Sequence, residues 1–451
     1  MDFIAELKWR GMLHQLTPGI EEHLAEAPRK AYIGFDPTAP SLTIGNYVQI
    51  MILTLYARAG HHPVILFGGA TGRIGDPSGK DEERQLKSYE ELDGNLESQK
   101  KQMLELLAAG LRGHVVRGGG PERKSGAKQV GENHEFSVIN NIDFYQEMNA
   151  LDFLRDVGKT ITVSYMMSKD SVQNRLESGM SFTEFSYQLL QGFDFQRLYV
   201  DHGVTIQMGG SDQWGNITTG TEFVRRNAGG KAYAVTTPLL TKADGSKFGK
   251  STKGNIWLDA DLTGPYDFYQ FWVRSNDADI STYLKTFSLR SKEEILADVA
   301  TVEAGLNGEN NFKEVNAIKH ALAAELTHRI HGEEGLATAK RVTEVFYGRG
   351  TTPEELLELD AKTIEGLRGE IPDLNYDRQT LEASPTLIDL LSATNISASK
   401  SEARRDIQGG AVSINKVKFI DVDSTVGPAN LLHDRFILVE KGKKRRYLIV
   451  V

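Results

Sequence analysis

The chain has 451 residues, 40% apolar and 25% charged, a composition that fits a globular protein of about three domains at roughly 150 residues each. No apolar run approaches the ~18 residues that span a bilayer, and the N-terminal MDFIAELKWRGML reads as neither a signal nor a transit peptide. The absence of cysteine excludes disulfides, thiolate metal sites and thiol nucleophiles and fits a cytoplasmic setting; the net charge of −9 is uneven, with 11 Lys and Arg against 7 Asp and Glu from Pro385 onward, so that the rest of the chain carries −13.

In chain order, Lys30–Phe35 is short, aromatic and β-branched and reads as a strand. A polar turn, Asp36–Ser41, leads to a helix that starts near Ile44 and ends at Gly60. Val64–Phe67 reads as a buried strand entering the turn GGATGRIGDPSGK. Strand, helix and strand within about 40 residues predict a βαβ unit and a parallel sheet, with sites at the strand C-termini. Residues 83–111 read as a charged helix, and the Gly-rich stretch Gly113–His134 as a mobile surface loop. Residues 143–180 read as mainly helical, and Ser181-Phe-Thr-Glu184 is a capping box that opens the next helix. Strands are expected at Thr205–Met208 and Ala232–Leu240, then a Gly- and Lys-rich loop over Thr241–Lys253. The domains expected are 1–240, a linker 241–264 carrying the lysine loop, a helical domain 265–345, a linker 346–384 and a small α+β module 385–451.

Five segments carry polar residues in patterns that suit chemistry. In Thr43-Ile-Gly45-Asn46 a glycine sits at a helix start, where free N–H groups and the dipole favour phosphate, and two hydrogen-bonding side chains lie three apart. The run Gly68–Lys80 is not a Walker A loop, because Ile74 stands where a glycine belongs and Asp81 follows the lysine. Its Asp76 could hold an ammonium group. Tyr187, Gln191 and Asp194 fall at i, i+4 and i+7 on one helix face. Gly209-Gly-Ser-Asp212-Gln213 follows a strand and suits a ribose or a carboxylate. Asp244-Gly-Ser-Lys247-Phe-Gly-Lys250-Ser251 is a Gly-hinged loop with two lysines, suited to neutralising a triphosphate. Each segment alone reads at least as readily as an ordinary cap, turn or solvated face.

Taken together and in order, these segments resemble the tyrosyl members of the class I aminoacyl-tRNA synthetases: YxGFDPT, GGATGxIGDPSGK, SFTEFSYxxLQxxDF, GGSDQWGNIT and KADGSKFGKS. Leu387–Lys418 resembles an S4-type RNA-binding domain. The resemblance implies an α/β fold: a Rossmann-like parallel-sheet catalytic domain, an α-helical domain and a small α+β S4-like domain. It implies a tyrosine pocket with Tyr32 and Asp194 at the phenol hydroxyl, Thr71, Asp76, Tyr187 and Gln191 around the ammonium group, and Gln213 near the carboxylate. The ATP side falls on Gly34, Asp36, Thr38, Thr43, Gly45, Asn46, Gly210 and Asp212. The phosphate-binding groups are Lys80, Arg84, Lys247, Lys250 and Ser251, and catalysis is assigned to the four cations among them together with Thr43 and Asn46.

Magnesium is expected on the phosphates of ATP, with no protein-held metal. The partners implied are L-tyrosine, ATP and tRNA(Tyr), the last contacted by Lys400, Arg404, Arg405, Lys416 and Lys418, in a homodimer formed near residues 140–166. Two departures stand out. The first signature usually reads His-Ile-Gly-His where this chain has Thr43 and Asn46, and Ile33 stands where relatives often carry cysteine. Thr-Ile-Gly-Asn also resembles tryptophanyl enzymes; Tyr32, Asp194 and the S4-like tail argue for tyrosine. The reading from another class is a synthetase-like RNA-binding protein without catalysis.

Overall fold

A computed structural model describes residues 1–78, 87–112, 136–173, 179–251, 254–308, 311–347, 352–368, 371–442 and 445–451. The chain forms two compact units. The first is Met1–Gly249 with Asn255–Asp259 and Ser275–Ile330; the second is Lys250–Gly254, Ala260–Arg274 and His331–Val451.

The first unit is built on a six-stranded sheet: β1 Gln15–Leu16, β2 Lys30–Phe35, β3 His62–Phe67, β4 Ser137–Asn140, β5 Val204–Gly210 and β6 Tyr233–Thr237. The order across it is β1-β6-β5-β2-β3-β4. All pairings are parallel except that of β1 with β6. From β2 the chain runs outward through β3 to β4, then returns to place β5 on the other side of β2. Strand order therefore reverses between β2 and β5, and in a doubly wound sheet the crevice for a ligand opens beyond the strand C-termini at that point.

The strands Lys30–Phe35, Thr205–Met208 and Val64–Phe67 read from the sequence lie within observed strands, and the expected Ala232–Leu240 narrows to Tyr233–Thr237. β4 is not legible in the sequence: four residues, none fully buried, carry no clear alternation. The stretch read as helix from 143 to 180 is broken in its described part into short pieces, Asn141–Phe144, Ala150–Val157, Val163–Met167 and Asp170–Gln173. The expected loop Gly113–His134 lies outside the described residues.

Two helices behind the sheet set the geometry of the cleft. Phe182–His202 is capped by Ser181, whose hydroxyl accepts from Glu184 N–H, and ends at Gly203 in the left-handed conformation. It packs against Trp214–Ala228 through a reciprocal pair: a Cβ on Gly192 would lie 2.8 Å from the Phe223 ring, and one on Gly220 would lie 2.8 Å from Phe195. Both phenylalanines are fully buried in a core shared with Tyr32, Leu189, Phe193 and Leu198.

The helix Asp277–Phe287 is seated by arginines at its C-terminal end. Arg10 donates to the carbonyls of Lys285 and Ser288 at 2.6 and 2.9 Å, and Arg329 to that of Phe287 at 2.7 Å. Cations here meet the negative end of the helix dipole.

The second unit holds a five-stranded sheet in the order Val417–Phe419, Val412–Ile414, Phe436–Lys441, Arg445–Val450, Asp373–Asn375, antiparallel except for the last pair. Helices Leu387–Ala393 and Lys400–Gln408 belong to the same module. Their buried residues, Leu387, Leu390, Leu391, Ala403 and Ile407, share a core with Val412, Ile414, Ile437, Val439 and Ile449. The long helix assigned to Phe312–Tyr347 is interrupted at Gly332, with φ 75°.

The Gly192 contact gives a signed prediction. Alanine gains about 1 kcal/mol of helix propensity over glycine, while forced overpacking costs about 1–3 kcal/mol. Gly192→Ala should therefore lower stability, by up to about 2 kcal/mol. On the helix Tyr89–Leu111, Gly94 faces open space, and Gly94→Ala should raise stability. Urea midpoints of the two variants should move in opposite directions.

Candidate active site

Beyond the C-termini of β2, β3 and β5 lies a cleft of about 700 Å³. Its wall includes Tyr32, Gly34, Asp36, Thr38, Thr43, Asn46, Thr71, Asp76, Tyr187, Gln191, Asp194, Gly210, Asp212 and Gln213. Residues from five separate stretches of sequence thus share one cavity.

At the floor, Asp194 is buried. Its two oxygens accept from different side chains: Oδ2 from the Asn141 amide at 2.8 Å, Oδ1 from the Tyr145 hydroxyl at 2.7 Å. Burial pushes its pKa up to about 7, against the pull of these two hydrogen bonds. The Tyr32 hydroxyl is buried, lines the same cavity and has no hydrogen-bond partner. Burial and the nearby Asp194 raise its pKa, so it stays a protonated donor. A buried hydroxyl left unpaired costs about 1–3 kcal/mol, a cost that a ligand hydroxyl can relieve.

Above the floor, Asp36 accepts from Thr71 Oγ1 at 2.8 Å and from the Tyr187 hydroxyl at 3.1 Å. The Asn141 amide also donates to Thr71 Oγ1 at 3.0 Å, which ties Asp36 to the Asp194 network. On the facing side, Asp76 accepts from Gln213 Nε2 at 2.7 Å, and Gln213 Oε1 accepts from Gln191 Nε2 at 3.3 Å. Asn216 donates to Ser78 Oγ at 3.1 Å beneath them. Burial, then Asp76, raises the pKa of Asp212. The described wall holds four carboxylates and no lysine, arginine or histidine. Such a field suits an ammonium group and leaves a triphosphate to be neutralised by groups from elsewhere.

At the start of helix Ile44–Arg58, Thr43 and Asn46 form a closed capping box. Thr43 Oγ1 donates to Asn46 Oδ1 at 2.8 Å, and Thr43 N–H donates to the same oxygen at 3.0 Å. The threonine proton is therefore committed, and the Asn46 Nδ2 protons are what the pair offers to a ligand. The Ile44 N–H donates to the Ile256 carbonyl at 2.9 Å, which also occupies part of the expected anion site. Gly45 does not line the cleft. Gly249 lies against it: a Cβ on Gly249 would meet Ile44 Cγ2 at 2.8 Å and Gly45 N at 3.4 Å. Phe248 anchors this end of the lysine loop, with ring centroids 5.2 Å from Tyr283 and 5.5 Å from Phe287.

Lys247 is exposed on the loop, paired through its backbone with Thr241, and does not line the cleft. Lys250 is exposed and belongs to the second unit. Lys80, Arg84 and the side chain of Ser251 lie outside the described residues.

In the second unit, Lys400 pairs with Asp389 at 2.7 Å and the largely buried Lys416 with Glu440 at 3.0 Å; Lys400, Arg404, Arg405 and Lys418 are exposed. Three polar residues of the site escape the sequence reading. Gln207 interrupts the apolar strand β5, which is a usable signal for a buried functional amide. Asn141 follows β4, and Tyr145 carries no local signal for its contact with a helix 49 residues away.

The match with known proteins agrees with this architecture. The family described as tRNA synthetases class I (W and Y) matches residues 24–348, and the tyrosine–tRNA ligase SYY-like C-terminal domain matches residues 364–450. The chain is 48% identical over 452 residues to the tyrosine–tRNA ligase of Cytophaga hutchinsonii, covering 99% of each. It is 45% identical over 456 residues to that of Porphyromonas gingivalis, covering 100% of each. Among solved structures, a C-terminally truncated mitochondrial tyrosyl-tRNA synthetase of Aspergillus nidulans superposes with a TM-score of 0.64 at 29% identity, over 77% of this chain and 94% of that one. A tyrosyl-tRNA synthetase of Archaeoglobus fulgidus complexed with L-tyrosine shares the fold, with a TM-score of 0.52 at 17% identity over 74% of this chain and 100% of that one. The chain belongs to the class I tRNA synthetases of the tryptophan and tyrosine group. Within that group it belongs to the tyrosine–tRNA ligases.

The seat of Gly249 makes a prediction. Its φ of 82° and its distance from Ile44 leave no room for a side chain. Gly249→Ala should raise the KM for ATP about fivefold to tenfold and leave that for tyrosine unchanged, read from pyrophosphate-exchange kinetics.

Proposed function

We propose that this chain activates L-tyrosine with MgATP to tyrosyl-adenylate and then transfers the tyrosyl group to the 3′ end of tRNA(Tyr), with both substrates in the cleft beyond β2 and β5. The observation that carries the reading is the unpartnered Tyr32 hydroxyl on a buried floor with Asp194. A phenol bound there accepts from Tyr32 and donates to Asp194, satisfying both.

The rest of the cleft supports the same orientation. Asp76, held by Gln213, takes the ammonium group, with Gln191 and Tyr187 beside it. Asp36 joins the two ligand sides, because its partners Thr71 and Tyr187 belong to the amino-acid side while Gly34 and Thr38 flank it on the nucleotide side. Gly210 and Asp212 fit the ribose. The tyrosine carboxylate is already ionised near neutral pH, so its attack on the α-phosphate needs no general base. The P–O bond to pyrophosphate breaks as the new bond forms. A terminal ribose hydroxyl of tRNA then attacks the activated carbonyl, and AMP leaves. Catalysis of the first step rests on positioning and on neutralising phosphate charge. Asn46 Nδ2 and the cations Lys80, Arg84, Lys247 and Lys250 are assigned to that task, with Thr43 holding Asn46 and Ser251 beside Lys250.

Phenylalanine in this pocket leaves Tyr32 and Asp194 without partners. In tyrosyl enzymes, the reference case for rejection of this kind, it reaches roughly 10⁴–10⁵-fold. We expect exchange of labelled pyrophosphate into ATP with tyrosine and none with tryptophan. Asp194→Ala should lose most of the discrimination between tyrosine and phenylalanine. Exchange independent of tyrosine, or unchanged selectivity in the variant, would overturn the pocket.

For tRNA, Lys400, Arg404, Arg405 and Lys418 are the exposed cations of the expected set; Lys400 is paired with Asp389, and the largely buried Lys416 with Glu440. Arg404, Arg405 and Lys418 are assigned the leading phosphate contacts, with Lys400 and Lys416 at their edge. The double variant Arg404→Ala with Arg405→Ala should weaken tRNA binding and reduce its salt slope by about 1 per lost phosphate contact, leaving exchange intact. A homodimer through residues 140–166 is proposed from the exposure of Leu151, Leu154 and Val163 there. No described helix is long and apolar enough to cross a membrane, and a reaction on tRNA fits a cytoplasmic setting.

A further inference from the structure

We propose that Tyr145 is a positioning residue for selection of the phenol: its hydroxyl, together with the Asn141 amide, holds Asp194 as an ionised acceptor aimed at the substrate hydroxyl. The inference rests on the assignment of Tyr32 and Asp194 to the phenol.

The geometry divides the work of the carboxylate. Oδ1 takes the Tyr145 proton and Oδ2 takes an Asn141 proton. An ionised carboxylate has about four lone-pair sites, so two remain for the cavity. Tyr145 has one proton and two acceptors in reach, Asp194 Oδ1 at 2.7 Å and the Leu190 carbonyl at 3.0 Å. The shorter, charge-assisted bond is the stronger. Burial, then Asp194, raises the Tyr145 pKa, which keeps its hydroxyl protonated as a donor. The ring itself is seated independently of the hydroxyl, with its centroid 5.6 Å from that of Phe193.

The need for such a donor follows from what surrounds Asp194. No described lysine or arginine shares the cavity with it. The groups that face it are Asn141 and Tyr145 from the segment after β4, Tyr32 from β2, Asp36 from the turn after β2, and Tyr187 on its own helix. Asp36 acts against ionisation, as burial does. The ionised state therefore depends on neutral hydrogen-bond donors, and Asn141 shares its amide with Thr71. A carboxyl that is protonated no longer offers the acceptor that distinguishes a phenol from a bare ring.

Tyr145→Phe keeps the ring seat and removes only the donor. The test is amino-acid-dependent pyrophosphate exchange across pH for the wild type and this variant, with tyrosine and with phenylalanine. In the wild type, kcat/KM for tyrosine should fall on the acid side of about pH 7, where Asp194 takes up a proton. Phenylalanine should show no such limb, which separates Asp194 from the other carboxylates of the cleft. In the variant the limb should move up by about one pH unit. At about pH 7, kcat/KM for tyrosine should fall about fivefold, tending to about tenfold at lower pH, with recovery on the alkaline plateau. Activity with phenylalanine and the KM for ATP should be unchanged, which also shows that the variant is folded. A uniform loss at every pH, or a limb that does not move, overturns the inference while leaving the phenol pocket standing. A wild type without tyrosine-dependent exchange overturns the pocket and this inference together.

Discussion

The parallel pairing of β2 with β3 on one side and β5 on the other is the constraint on which the rest of the cleft depends. A strand flanked in this way delivers its last residues into a crevice that neither neighbour fills. Tyr32 lies on β2 below it and Asp36 follows β2 into it, Thr71 and Asp76 follow β3, and Asp212 and Gln213 follow β5. The helices Phe182–His202 and Trp214–Ala228 close the far side. Their reciprocal contacts, Gly192 on Phe223 and Gly220 on Phe195, fix how near Gln191 and Asp194 come to the residues after β5.

Charge is handled in this cleft mainly by neutral groups. Asp36, Asp76 and Asp194 each accept from hydroxyls or amides, and the described wall supplies no cation. An acid held this way keeps its acceptor directions without the desolvation cost of a buried partner charge. A positively charged amino group entering the cleft meets carboxylates that are already oriented. Lys247 and Lys250, two of the cations proposed for the triphosphate, are carried on a separate loop, whose near end is pinned by Phe248 against Tyr283 and Phe287. The binding of amino acid and the neutralisation of phosphate are thus assigned to different structural parts.

Much of the sheet is legible in the sequence because its strands are buried runs bounded by glycine-rich turns. The bounds of Lys30–Phe35 read directly, and Val64–Phe67 to within two residues. β1 and β4 do not, since two edge residues and four residues of which none is buried carry no period. Helical spacing puts Tyr187, Gln191 and Asp194 on one face, and all three line the cavity. Spacing cannot reveal that Tyr145 reaches Asp194, because that contact depends on where short turns after β4 land in space. Nor can it reveal that Thr43 spends its proton on Asn46, or that Lys416 pairs with Glu440. Such pairings join residues whose types suit several partners, and only the fold chooses among them.

The closed box at Thr43 and Asn46 also bears on how this first signature can change over evolutionary time. Asn46 Oδ1 is the acceptor for both the backbone N–H and the hydroxyl of Thr43. Histidine at 46 alone would withdraw that oxygen and open the cap. Histidine at 43 alone would remove the hydroxyl that accepts from Asn46 N–H. Each single step towards the two-histidine form passes through a frayed helix start beside the cleft, so the cap couples the two positions.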